Sequence, residues 1–318
     1  LKSAPYAKDQ SRNHATTAIV LRTIEFSETS LIVHLLTRDL GRISALAKGA
    51  RRLKGPFEGS LDLLSVCQVV LIAKSGDSLD LLTESKLRRR FRGGDRSLQR
   101  TYAGYYLAET LRHWLDDNEP HEELFDLTLA ALGLIDGDGP VAATLLAFDC
   151  QCLRLLGHAP ATRLCTVCGG KLSPSPRIAF SLEGGGVVCE GCRSRQSALV
   201  LVKPALIEIL DGLIRSPHPT QGNSSSNGLV ELPEPHQDAS CEQSPGLPTR
   251  VSARQSGAET VPLASAARAT FPLRSLLPQV AETSYPELRG LVSRYMQVLL
   301  GRELRMQPYL PTDFQTRP

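Results

Sequence analysis

Four cysteines constrain this chain more than any other feature. Cys165-Thr166-Val167-Cys168 and Cys189-Glu190-Gly191-Cys192 are two CxxC pairs separated by twenty residues. Two residues between thiolates let one short turn aim both sulfurs at a single ion, and two such turns complete a tetrahedron. Gly169 and Gly191 suit the tight backbone of these turns, leaving amide N–H groups free to bond sulfur. Arg177-Ile178-Ala179-Phe180 and Val187-Val188, around Gly184-Gly185-Gly186, read as a hairpin. The expectation is a four-cysteine zinc ribbon over 161–196. Its Zn²⁺ would be structural, because four protein ligands close the coordination sphere. Arg163, Lys171, Arg193 and Arg195 would offset the charge of the thiolates. Rubredoxin-like iron or a redox pair are the alternatives. Of the remaining cysteines, Cys150 and Cys152 face different sides of a helix, Cys67 lies in a strand, and Cys241 lies in a Pro/Ser-rich stretch.

The net charge of +3 over 318 residues hides a segregation. Residues 1–112 hold 19 Lys/Arg against 11 Asp/Glu, while 113–153 hold none against nine. Such asymmetry points to a basic module facing a polyanion, beside a separate acidic surface. No apolar run approaches the ~18–20 residues that span a bilayer, and the first residues show no signal-peptide core. A cytoplasmic protein with no membrane contact is expected.

Residues 1–16 are polar and read as a tail. From Thr17 the pattern is β: Ala18–Leu21, Leu31–Leu36, Ile43–Ala47, Cys67–Ala73 and Leu79–Leu82 are short apolar runs separated by turn residues. Five short strands within a domain at 17–95 fit a small closed barrel, with an OB-fold leading and an SH3-like barrel open. From Leu98 the period becomes helical, through about Leu115, then Glu122–Ile135 and Val141–Leu155, with Gly157 as the stop. Further helices open at Pro204 and Pro286. The whole reads as an α+β multidomain chain, an N-terminal barrel followed by a helical bundle at 96–318 with the ribbon inserted. Residues 216–270 hold seven Pro and no aromatic residue, the composition of a disordered insertion.

Two basic clusters border the expected barrel. Lys48, Arg51, Arg52 and Lys54 follow a strand, and Lys86, Arg88, Arg89, Arg90 and Arg92 lead toward the first helix, with Arg96 and Arg100 beyond. A charge run is usually a solvated face. Two runs beside one barrel, whose face and loops commonly hold oligonucleotides, favour nucleic-acid binding. Phe57 and Phe91 are nearby stacking platforms or, taken singly, core residues. The histidines form no constellation, and there is no P-loop, GxGxxG, HExxH or nucleophile elbow. No catalytic residue is assigned.

Thr37-Arg38-Asp39-Leu40-Gly41 followed by Ala47-Lys48-Gly49-Ala50-Arg51-Arg52, then Leu155-Leu156-Gly157-His158-Ala159-Pro160 before the cysteines and Gly185-Gly186-Val187-Val188-Cys189 at the second pair, resemble segments of the bacterial recombination mediator family RecO. The resemblance spans about 17–215 and resumes near 286–310. It implies a protein that binds single- and double-stranded DNA, anneals complementary strands coated by single-stranded DNA-binding protein (SSB), and works with RecR to load RecA. It also implies that the helical domain receives the C-terminal tail of SSB, with Arg112 and Arg154 as cationic contacts. Residues 216–270 and the N-terminal tail are additions to the family's usual length. Some members lack the cysteines, so the metal is not essential to the shared activity. Rival readings are a ligase- or topoisomerase-like enzyme and a zinc-ribbon scaffold of transcription or translation. Against a ligase, Lys48-Gly49-Ala50-Arg51 is no KxDG motif.

Overall fold

A computed structural model describes residues 13–52, 55–57, 59–74, 78–215 and 271–311. The expected disordered insertion, Cys241 within it, residues 1–12 of the expected tail, and Lys54 lie outside the described residues. Five strands close on themselves in the order β1-β2-β3-β5-β4. They are β1 (Asn13–Glu25), β2 (Leu31–Thr37), β3 (Gly41–Ala47), β4 (Val66–Ile72) and β5 (Asp80–Arg89). All pairs are antiparallel except β3–β5. β1 begins at Asn13, ahead of the Thr17 boundary, because Asn13-His14-Ala15-Thr16 pair with Val69–Ile72 despite their polarity. Backbone pairing, not side-chain pattern, recruits them.

Alternation divides the barrel's side chains between two cores. Ala18, Val20, Val33 and Leu35 point inward with Ile43, Val69 and Leu82. Their neighbours Ile19, Leu21 and Leu36 point outward and join Ala103, Tyr106, Leu107 and Leu127 in one continuous core with the helices. Both faces of β1 are therefore buried over Ala18–Leu21, and the barrel is welded to the helical region.

The helices are α1 (Gly93–Arg96), α2 (Leu98–Trp114), α3 (Glu122–Asp136), α4 (Val141–Leu155), α5 (Pro204–Ile214) and α6 (Tyr285–Leu300). Ser97 caps α2, its hydroxyl accepting from the Arg100 N–H at 3.3 Å. α4 is the central helix, buried continuously from Val141 to Leu153. It ends in a Schellman turn: Gly157 has φ +77°, His158 N–H donates to Leu153 O, and Gly157 N–H to Arg154 O. A charged group inside this core is neutralised in place. Asp149 of α4 accepts from Tyr106 at 2.8 Å and from Arg289 of α6, whose guanidinium also donates to the Tyr106 hydroxyl at 2.9 Å.

A second sheet, in the order β7-β6-β8, comprises β6 (Ile178–Ser181), β7 (Gly186–Val188) and β8 (Leu199–Val202). The hairpin of β6 and β7 matches the expectation. β8 extends the sheet beyond residue 196, where the expected ribbon stopped. Phe180, Leu182, Val187 and Val202 pack into the helical core, while Ala179 and Val188 face the cysteines. No helix among the described residues is long and apolar enough to cross a membrane.

Candidate nucleic-acid interface and metal centre

The first basic cluster sits on a rim built by strand register. Glu25 pairs with Leu31, and Leu31 with Ala47, so the β1–β2 turn and the residues after β3 leave the barrel side by side. Lys48 emerges exposed. Gly49 takes φ +73°, which a side chain rarely adopts, and its carbonyl accepts from the Arg52 N–H at 3.1 Å. Arg52 folds its stem back over that glycine. Arg51 donates its N–H to Thr29 O at 3.0 Å and its guanidinium lies 3.2 Å from Glu25.

The second cluster lies where the register of β5 shifts: Cys67 pairs with Leu87 and Val66 with Arg89, leaving Arg88 as a bulge. Lys86 and Arg88 are exposed, while Arg89 between Arg88 and Arg90 is half-buried. Arg89 turns toward α3, 4.0 Å from Asp136. The bulge turns Arg89 to the helical side, away from Leu87, which packs against the barrel interior. Arg90 is 3.3 Å from Asp62 and donates to Gly59 O at 3.1 Å, and Ser85 N–H donates to Pro56 O. These bonds hold Pro56 and Gly59 alongside β5. Arg92 is exposed, and its main-chain N–H donates to Asp136. Among the described residues, Lys48, Arg52, Lys86, Arg88 and Arg92 form no ion pair. Arg51 and Arg90 sit in exposed pairs, a class worth at most about 1 kcal/mol and open to exchange with phosphate.

The acidic segment is not the separate surface its charge implied. Arg38 contacts Asp126 at 2.7 Å and Glu122 at 3.9 Å, and Arg42 contacts Asp117 at 2.8 Å. Asp136, Asp138, Glu123 and Asp149 meet Arg89, Arg96, Arg154 and Arg289 respectively. Basic and acidic stretches face each other within the chain. The β2–β3 turn is stitched into this seam. Gly41 has φ +75°, and a Cβ there would lie 2.0 Å from the Glu119 carbonyl oxygen, so only glycine fits. Asn118 N–H donates to Arg42 O at 2.8 Å.

Phe57 is buried in the barrel, and the Phe91 ring lies where a Cβ on Gly93 or Gly104 would stand. Both are packing residues, and neither is available for stacking. Arg154 pairs with Glu123 and donates to Gln151. Arg112 is half-buried; desolvation, then the positive charge of Arg22, lower its pKa, with Arg305 and Arg42 adding to the effect. Sequence reading missed this grouping of Arg22, Arg42, Arg112 and Arg305. Alternation from inward Ala18 and Val20 would turn Arg22 inward, and only the bulge between Val20 and Arg22 exposes it, while the approach of Arg305 depends on tertiary packing. His34, opposite Arg22 in the ladder, has its Nδ1 2.8 Å from Ser44 Oγ. Burial, then Arg22 and Arg42, lower its pKa and favour the neutral ring.

The four cysteines converge, their sulfurs all within 4.8 Å of one another. Gly169 (φ +70°) closes the first turn, its N–H donating to Cys165 O at 2.8 Å while Cys165 N–H donates to Gly170 O. The second turn is a 3-10 helix, Glu190–Arg195, with Cys192 N–H donating to Cys189 O. Gly191 lies in open space with no positive φ, so the expected need for glycine holds at 169 and not at 191. Against desolvation, backbone N–H groups of Cys189, Cys168 and Val167 pull the Cys165 thiol down to about 6. Hydrogen bonding to the Cys189 and Cys168 sulfurs, with burial, pushes Cys192 up to about 12. Four thiolates this close repel one another, and a multivalent cation is the group that lets all four ionise together. The 3.7 Å between the Cys168 and Cys189 sulfurs matches an edge, about 3.8 Å, of a tetrahedron with ~2.3 Å metal–sulfur bonds. Arg163 is committed elsewhere, 2.6 Å from Asp211.

The family model described as "Recombination protein O N terminal" matches residues 12–91, and "Recombination protein O C terminal" matches 96–228. A protein named "DNA repair protein RecO" from Rhodopirellula baltica is 56% identical over 295 residues, 92% of this chain and 97% of that protein. Its namesake from Anaeromyxobacter dehalogenans is 35% identical over 55% of this chain and 69% of its own. The Syntrophus aciditrophicus protein of the same name is 30% identical over 64% and 76%.

Proposed function

The chain belongs to the RecO family of DNA repair and recombination proteins, and from that premise we propose a specific division of labour. The barrel, read as an OB-fold, holds DNA phosphates along the flank formed by Lys48, Arg52, Lys86, Arg88 and Arg92. Arg51 and Arg90 join when phosphate displaces their exposed carboxylate partners, and Lys54 is assigned the same role from its place in the basic run. Single- and double-stranded DNA are both substrates, since phosphate contacts carry little sequence information. With repulsion between two backbones screened by these cations, complementary strands coated by SSB anneal. Together with RecR, and with the SSB tail received by the helical domain, the same protein loads RecA indirectly. No bond is broken in this scheme, so the protein is a mediator rather than an enzyme.

The observation that carries the reading is the set of five exposed cations that form no ion pair among the described residues, on a barrel whose other side is welded to helices. A flank freed from internal pairing has its charge available for counterion release. Cys165, Cys168, Cys189 and Cys192 would hold Zn²⁺, which supplies a fixed tetrahedral clamp and no reaction chemistry. The charge balance of four thiolates and the 3.7 Å sulfur separation support this over a disulfide, whose sulfurs lie about 2.05 Å apart.

Annealing of SSB-coated complementary oligonucleotides by the purified protein, with metal analysis of the same sample, tests the proposal. Accelerated annealing with one zinc per chain is expected. No acceleration over SSB-coated strands alone, or covalent AMP on a lysine after incubation with ATP or NAD, would overturn it.

A further inference from the structure

Phe26 is the conspicuous apolar residue of the barrel rim. It follows β1 directly and is 60% exposed. An aromatic ring at a turn normally folds onto a core, as Phe57 and Phe91 do. Phe26 is held away from one: its N–H donates to Ser30 O at 3.1 Å, Ser27 N–H donates to the same oxygen, and the turn is pinned. A second set of bonds ties this turn to the first basic cluster. Thr29 O accepts from the Arg51 N–H, and Glu25 faces the Arg51 guanidinium. Register sets Lys48 two strands over, across β2, one residue past Ala47 as Phe26 is one past Glu25.

Resting on the DNA-binding reading, we propose that Phe26 is a stacking platform for an unpaired nucleobase, and that it makes the barrel bind a single strand more tightly than a duplex. Charge decides which part of the strand meets the ring. Glu28, beside the Glu25–Arg51 pair, repels a phosphate laid over the turn, whereas Lys48 and Arg52 are open to phosphate two strands away. The sugar–phosphate backbone therefore runs along the 48–52 loop and the base turns onto the ring. Every base has a π-face, so stacking tolerates sequence. Duplex bases are already stacked on their neighbours and paired, so a duplex has nothing to offer the ring.

The test compares Phe26→Ala and Phe26→Tyr with the unaltered full chain, using a single-stranded oligonucleotide, its duplex, and an abasic strand of equal length. Stacking contributes about 1–3 kcal/mol per base, so Phe26→Ala should weaken single-strand binding roughly 5- to 150-fold. Phe26→Tyr should bind like the unaltered chain. Duplex and abasic affinities should not move, and the salt slope should stay constant because no phosphate contact is lost. Equal weakening for single strand and duplex, or no weakening of either, overturns the stacking role. Failure of the underlying reading looks different: the unaltered chain would bind all three probes weakly and without salt dependence. Thermal unfolding of Phe26→Ala should match the unaltered chain, since the ring is exposed.

Discussion

Arginines on two sides of the same barrel have opposite fates. On the helical side, Arg38, Arg42 and Arg89 reach across to Asp126, Asp117 and Asp136 and become part of a seam. On β5 itself Lys86 and Arg88, and where the chain leaves the barrel for α1 Arg92, face water outside any ion pair among the described residues. In the sequence the two groups are indistinguishable, and Arg88 and Arg89 are adjacent. A β-bulge at Arg88 separates them. A basic balance over a hundred residues therefore overstates the charge available to a ligand, because part of it holds the molecule together.

The most deeply paired cation gives the largest effect. Replacing Arg289 by Met leaves Asp149 buried without its counter-charge, and breaking a buried pair from one side costs about 3–5 kcal/mol. Chemical denaturation should show that loss, while the salt dependence of DNA binding per folded molecule stays unchanged. Next comes the ribbon. Cys165→Ser with Cys168→Ser should release the metal, seen by elemental analysis, and loosen amide protection in residues 161–202. The barrel amides should keep theirs, and a stoichiometric metal content would refute the ligand assignment. Smallest is the exposed seam. Arg42→Ala removes a pair whose acid is about half exposed and a donation to the Arg112 carbonyl, so a stability loss of about 1–2 kcal/mol is expected, read by the denaturation midpoint.

Much of this architecture was legible in the residues because each signal was local. Alternating β-branched runs announced the five strands, Gly157 the end of α4, and CxxC spacing the four converging sulfurs. The failures share one cause, dependence on distant partners. Asn13–Thr16 look like a tail until β4 supplies their pairing. β8 joins its sheet by pairing with β6 across the cysteine turns, so no hairpin turn announces it. The acidic run looked like a free surface because its arginine partners lie far off in the chain, 88 residues away for Arg38 and Asp126. At the candidate interface, phenylalanines near the basic runs drew attention at 57 and 91, yet packing claims both and leaves Phe26 at the rim.

One measurement separates the two sides most directly: the log–log salt slope of single-strand affinity for two triple variants. Lys86→Ala/Arg88→Ala/Arg92→Ala should flatten the slope by about 2, at roughly 0.7 per neutralised phosphate, with little change in stability. Arg38→Ala/Arg42→Ala/Arg89→Ala should leave the slope intact and lower stability instead. An unchanged slope in the outer-flank variant, or an equal flattening in both, would contradict the assignment of DNA to the unpaired flank.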